Sequence, residues 1–141
     1  MEENFEYVGF KDRLFAFLLD VTFLTITSLI LQAIIYAVAK PMNVTINADV
    51  LDYFDRLILG PVYFIVMLYF YEATLGKMIM KIRIVSESGR KMMFFQILIR
   101  ELIGKLLCVL TLGYGYFWII VDKKCQGFHD KLAKTVVIYD R

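Results

Sequence analysis

The sequence predicts an all-α membrane protein, and three observations carry that expectation. The chain is 60% hydrophobic and 16% aromatic over 141 residues, and its mean hydropathy is +0.64; soluble domains run nearer half apolar. Two apolar runs, residues 14–39 and 57–73, are long enough to cross a hydrocarbon core of roughly 30 Å. Lysine and arginine gather in particular segments instead of spreading evenly. The expected architecture is one domain, 1–141. It has two firm transmembrane helices, an interfacial amphipathic helix, a third tilted or re-entrant apolar segment, and a short cytoplasmic β-hairpin-like element.

The elements follow in order. Residues 14–39 carry a single charge, Asp20, and lie between Arg13 and Lys40-Pro41, where proline ends the helix. The acidic opening MEENFE lacks the positive n-region of a signal peptide, so this first helix is expected to be retained. The stretch MNVTINADVLDYFDR, with Asp49, Asp52 and Asp55, reads as an acidic loop. Residues 57–73 form a shorter second span with Pro61 in its first turns and aromatic residues towards its ends, as an interfacial belt requires. In TLGKMIMKIRIVSESGRKMMF the run Lys81-Ile82-Arg83-Ile84 alternates with period two, and Ser86 to Gly89 is a turn. A short strand is expected there, with the β-branched Thr135–Tyr139 as a possible partner. In 94–121, Arg100, Glu101 and Lys105 fall within a third of the helical wheel, and Leu112-Gly113-Tyr114-Gly115 interrupts the middle. An interfacial helix followed by a re-entrant or third span fits this pattern.

Orientation comes from counting Lys and Arg. The N-terminal tail has two, the loop 40–56 has two offset by three Asp, the segment 74–105 has seven, and the tail after Val121 has five. The first loop is therefore expected outside and the N-terminus cytoplasmic, in a multi-pass protein of the cell membrane. The basic segments would face anionic lipid headgroups. A net charge of +2 gives no reason to expect nucleic acid as a partner.

Asp20 and Arg13 are the first candidates for chemistry. Seven residues separate them, so they lie about 20° apart on one helix face and about 10 Å apart along the axis. An ionised Asp at a bilayer centre costs roughly 2.5–3.5 kcal/mol, less nearer the surface. Asp20 then either faces water as a proton or cation site, or sits in a buried pair that fixes helix packing; Arg100 and Lys105 are possible partners as much as Arg13. Thr27 continues the face, with Ser28 and Gln32 off it; such residues could line a path, but hydroxyls in membrane helices more often bond back to their own backbone. His129-Asp130 could act as a pH-sensing pair. A lone histidine is a poor metal site, Cys108 and Cys125 form no framework, and no phosphate loop, HExxH or nucleophile elbow is present. The chain is therefore not expected to be an enzyme or to hold a metal or cofactor.

Three stretches, RLFAFLLD, TLGKMIMKIRIVSESGRKMMFFQILIRE and GFHDKLAKTVVI, together resemble the RDD family of small bacterial membrane proteins, from about Lys11 to Ile138. The resemblance implies that the family's arginine is Arg13 and its aspartates are Asp20 and Asp130, with Thr74, Gly76, Lys77 and Arg100 also matching. Lys134 departs from the pattern, since many members have glycine there. The family has been proposed to transport ligands, and some members have been linked to sodium/proton antiport. The function this implies is transport of a small ligand or of cations such as Na+ and H+, by a homo-oligomer, since two spans per chain enclose little. The alternative is a non-transporting scaffold or accessory subunit, in which Arg13, Asp20, Asp130 and Arg100, with His129, Lys105 and Thr27 nearby, form a structural charge network.

Overall fold

The structure, a computed structural model, describes residues 5–140. Residues 1–4 of the acidic opening, and Arg141 of the basic tail, lie outside the described residues. The chain is mostly helical and holds one small antiparallel sheet. Helix α1 (Phe10–Ala39) is unbroken and ends in a 3-10 turn containing Pro41. It buries only Arg13, Ala16, Asp20 and Ala39 and turns its long apolar side chains outward. Lipid supplies no hydrophobic drive between helices, so small and polar residues make the contacts.

Helix α2 (Ala48–Tyr71) starts nine residues before the expected boundary at Leu57. Two interactions make the acidic stretch helical instead of a loop. Asn47 caps the helix by accepting a hydrogen bond from the Asp49 amide at 2.9 Å. Asp52 and Asp55 then face α1, where Gln32 Nε2 donates to them at 3.1 and 3.0 Å and Ser28 Oγ donates to Asp55. A π-helical turn at Asp55–Leu59 precedes Gly60-Pro61, where the regular ladder loses a donor. The stretches Phe10–Met42 and Ala48–Tyr71 are each long and apolar enough to cross a membrane.

The next elements pack against the Arg13 end of α1. Helix α3 (Leu75–Ile79) crosses α1 so closely that a Cβ at Gly76 would collide with the Ala16 backbone carbonyl. Strand β1 (Ile82–Ser86) pairs antiparallel with β2 (Thr135–Tyr139), Ile82 opposite Tyr139 and Ser86 opposite Thr135. The expected pairing is present, but the element is not a hairpin, because all the helices between Phe94 and Ala133 intervene. Ile82, Ile84 and Val137 join Val8, Ala16, Leu68 and Ile97 in the main core. Val85, Val136 and Ile138 pack on the other face against Phe5 and Tyr7. The Val8 amide donates to the Val137 carbonyl at 3.0 Å, and Tyr7 bridges Ile138. The first and last described segments and the segment after α2 thus meet at one end of the molecule.

Residues 94–121 fold as a helical hairpin. Helix α4 (94–110) contains a π-helical stretch, Ile99–Gly104. The chain reverses at Leu112 and Gly113, both left-handed, into α5 (Tyr114–Val121). At eight residues α5 is about 12 Å long, well short of a second crossing. Helix α6 (Phe128–Ala133) lies against the π-helical stretch, where a Cβ at Gly104 would meet His129 Cβ at 2.6 Å.

The α1–α3 crossing can be tested directly. Gly76→Ala is expected to cost about 1–3 kcal/mol by overpacking, read as a thermal midpoint lowered by roughly 3–10 °C in detergent. An unchanged midpoint would mean that the helices do not meet at Gly76.

Candidate functional site

Two buried polar clusters form on the single inward face of α1, one at each end of Arg13-x-x-Ala16-x-x-x-Asp20. Asp20 is 1% exposed. Its Oδ1 accepts from Tyr63 Oη at 2.8 Å and from the Gly76 amide at 2.7 Å, and its Oδ2 accepts from Thr74 Oγ1 at 2.5 Å. Tyr63 Oη in turn accepts from the Leu75 amide at 3.1 Å. The Thr-Leu-Gly sequence thus supplies a hydroxyl, an amide and room for the carboxylate, which joins α1, α2 and α3.

The second cluster centres on Asp130, which is fully buried. As the third residue of α6 it folds back to accept from the Gly127 amide at 3.1 Å, a capping arrangement. The same Oδ2 receives Arg13 Nη1 at 2.5 Å. Oδ1 lies 3.1 Å from Arg100 Nη2 and 3.3 Å from His129 Nε2. Arg13 Nε donates to the Val8 carbonyl at 3.0 Å. Arg100 Nε lies 3.5 Å from Glu101 Oε1, and Glu101 also pairs with Lys105, whose ammonium sits 3.7 Å from the centre of the Phe64 ring. The π-helical stretch of α4 turns the consecutive Arg100 and Glu101 both inward.

Arg13 and Asp20 therefore share a face without sharing a bond. Arg13 turns to Asp130, and Asp20 takes neutral donors and neither Arg100 nor Lys105. Thr27 Oγ1 donates to the Phe23 carbonyl at 2.9 Å, within its own helix. Sequence reasoning missed Tyr63, which is one aromatic residue among many, and Glu101 as a bridge. It also missed Asp55 as a helix–helix contact. Thr74 and Gly76 were visible only as parts of a motif.

A cavity of about 380 Å³ lies between the clusters. Arg13, Asp20, Lys77, Arg100, Glu101, Lys105 and His129 form its polar side, and Phe10, Phe17, Phe64 and Phe117 line its apolar side. Burial, then the neighbouring Arg100, lower the Lys77 ammonium to about 7. Burial lowers the His129 imidazole to about 4, against the pull of Asp130. Burial pushes the Asp130 carboxyl up, but Arg100, His129 and Arg13 together hold it below its ordinary range. Among the described residues no three His, Cys, Asp or Glu side chains converge on a metal-sized gap.

Two long apolar helices with charge buried at one end define a small integral membrane protein. The RDD family's sequence model matches residues 7–134, and the chain belongs to that family. An uncharacterized membrane protein of Bacillus subtilis (strain 168), YteJ, is 26% identical over 137 residues, covering 96% of this chain and 82% of the relative. The uncharacterized protein RP437 of Rickettsia prowazekii (strain Madrid E) is 34% identical over 76 residues, 54% of this chain and 42% of that protein. No solved structure matches.

The buried imidazole gives a pH prediction. The unfolded chain takes up a proton near pH 6.5, whereas folded His129 does so only near 4. Stability should therefore fall as pH drops from about 6.5 to 4, by up to about 3 kcal/mol. Loss from Asp130 begins below its ordinary value of 3.8, and Lys77, at about 7, adds a slope of its own only above about pH 6. Thermal melts in detergent from pH 6 to 4.5 should show this slope in the wild type and lose it in His129→Gln. An equal slope in both would remove His129 as its source.

Proposed function

We propose that the protein carries a small ligand across the cell membrane, and that the cavity beside Arg13 and Arg100 is its ligand site. The observation that supports this is the cavity itself, about 380 Å³ and lined by charged and aromatic side chains together. Small-molecule sites are concave and largely apolar, with a few convergent polar groups. The segment after α2 and the tail, which carry most of the chain's basic residues, pack together with the described start of the chain at one end of the molecule. That end is cytoplasmic on the positive-inside rule, which makes the protein multi-pass with its N-terminus inside. A second copy completes the path that two spans per chain leave open.

Sodium/proton exchange at Asp20 is the less favoured form of this reading. Both oxygens of that carboxylate already hold donors from α2 and α3, so cation binding would require those bonds to open. The same saturation favours a second reading, in which the charged residues form a structural network in a scaffold or accessory subunit.

Proteoliposomes separate the readings. With gradients of Na+, Li+, K+ and small organic solutes, the transport reading expects at least one flux that Leu14→Trp, which fills the cavity, abolishes. Cation-driven proton flux that vanishes only in Asp20→Asn would favour exchange at Asp20. No flux above empty liposomes would favour the scaffold.

A further inference from the structure

The cavity is lined by two buried arginines whose guanidinium nitrogens are not all hydrogen-bonded. Arg13 is 9% exposed and Arg100 is 4% exposed. Arg13 Nη2 and Arg100 Nη1 are buried without a hydrogen-bond partner. Both arginines line the cavity, as does Lys77, which forms no ion pair among the described residues. Two carboxylate oxygens, Glu101 Oε2 and Asp130 Oδ1, also lack a hydrogen-bond partner, but each already lies against a cation of the protein. Both Asp20 oxygens hold donors, both Glu101 oxygens face cations, and both Asp130 oxygens are shared among Arg13, Arg100, His129 and the Gly127 amide. Four cationic side chains line the cavity against two anionic ones, Asp20 and Glu101. With Asp130 counted behind them, one positive charge is still in excess when Lys77 is protonated.

Buried N–H groups without acceptors are costly, and a guanidinium presents its donors in a planar fork that matches a phosphate or carboxylate. The rest of the lining is largely aromatic. We propose that the cavity binds an amphiphilic anion, its phosphate or carboxylate head between Arg13, Arg100 and Lys77 and its hydrocarbon body along Phe17, Phe64 and Phe117. This rests on the cavity being the ligand site of the transport reading, and it names the class of that ligand. A cation is disfavoured by the charge count, because cationic side chains already outnumber anionic ones around the cavity.

The test uses the full chain in phosphatidylcholine nanodiscs, with octyl phosphate, octanol and octylamine as probes and the thermal midpoint as the readout. Octyl phosphate is expected to raise the midpoint saturably, and octanol and octylamine are not. Lys77→Gln leaves the Asp130 ion pairs in place and should weaken octyl phosphate binding about ten-fold, with recovery in Lys77→Arg. Melting of the unliganded variants reports whether the fold survives. Adding phosphatidylglycerol to the disc separates the sources of the head: competition assigns it to a lipid, and undiminished binding assigns it to a soluble amphiphile, both within the proposal. Equal stabilisation by octanol or octylamine overturns the anion and leaves a ligand cavity standing. Undiminished binding by Lys77→Gln places the anion elsewhere and overturns the proposal. No saturable effect from any probe overturns both the proposal and the ligand site.

Discussion

One buried carboxylate, that of Asp130, holds the rest of the structure in place. It receives a guanidinium from α1 and another from α4, and it caps its own short helix through the Gly127 amide. Arg13 and Asp130 are 117 positions apart in the chain, so this contact closes the fold from end to end. Desolvating such a group is expensive, and removing one partner from a buried pair typically costs 3–5 kcal/mol, because the other charge is left uncompensated. The arrangement survives because Oδ2 holds the Arg13 guanidinium and the Gly127 amide while Oδ1 lies against Arg100. The same grip sets the rotation of α1 about its axis, since Arg13 can reach Asp130 from only one face of that helix.

The second cluster follows from that rotation. With Arg13 turned inward, Ala16 and Asp20 must follow it, being three and seven residues on. Ala16 is small enough for Gly76 to pass over its carbonyl, which brings the Thr74 hydroxyl and Gly76 amide to the Asp20 carboxylate. Apart from the side where Ser28 and Gln32 meet Asp52 and Asp55, the rest of α1 is left to lipid. The cavity lies between the two clusters, so its charged wall comes from the same residues that hold the helices together. Lys77 is the exception: it lines the cavity and takes no part in those ion pairs.

How much of this could be read in advance depended on the kind of signal each contact leaves. The two long helices were legible from hydropathy, the strand partners from Lys81-Ile82-Arg83-Ile84 and Thr135–Tyr139, and the break in 94–121 from Leu112-Gly113. The shared face of Arg13 and Asp20 followed from helical spacing. Their separation into two clusters did not, because Asp20 is satisfied by a tyrosine, a threonine and a backbone amide, none of which leaves a charge pattern. The acidic stretch before Leu57 was misread as a loop, since the partners that make Asp52 and Asp55 tolerable on a helix, Gln32 and Ser28, lie on another element. Lys134 shows the reverse: it adopts the left-handed conformation, with φ 52°, at the position where the family resemblance leads one to expect glycine.

The central claim is that Asp130 and Arg13 act as a unit, and a double-mutant cycle measures that most directly. Unfolding free energies would be compared for the wild type, Arg13→Gln, Asp130→Asn and the double variant in one detergent at neutral pH. The clamp predicts a coupling energy of at least about 1.5 kcal/mol, the double variant losing far less than the two single losses combined. Losses that add to within about 0.5 kcal/mol would contradict it.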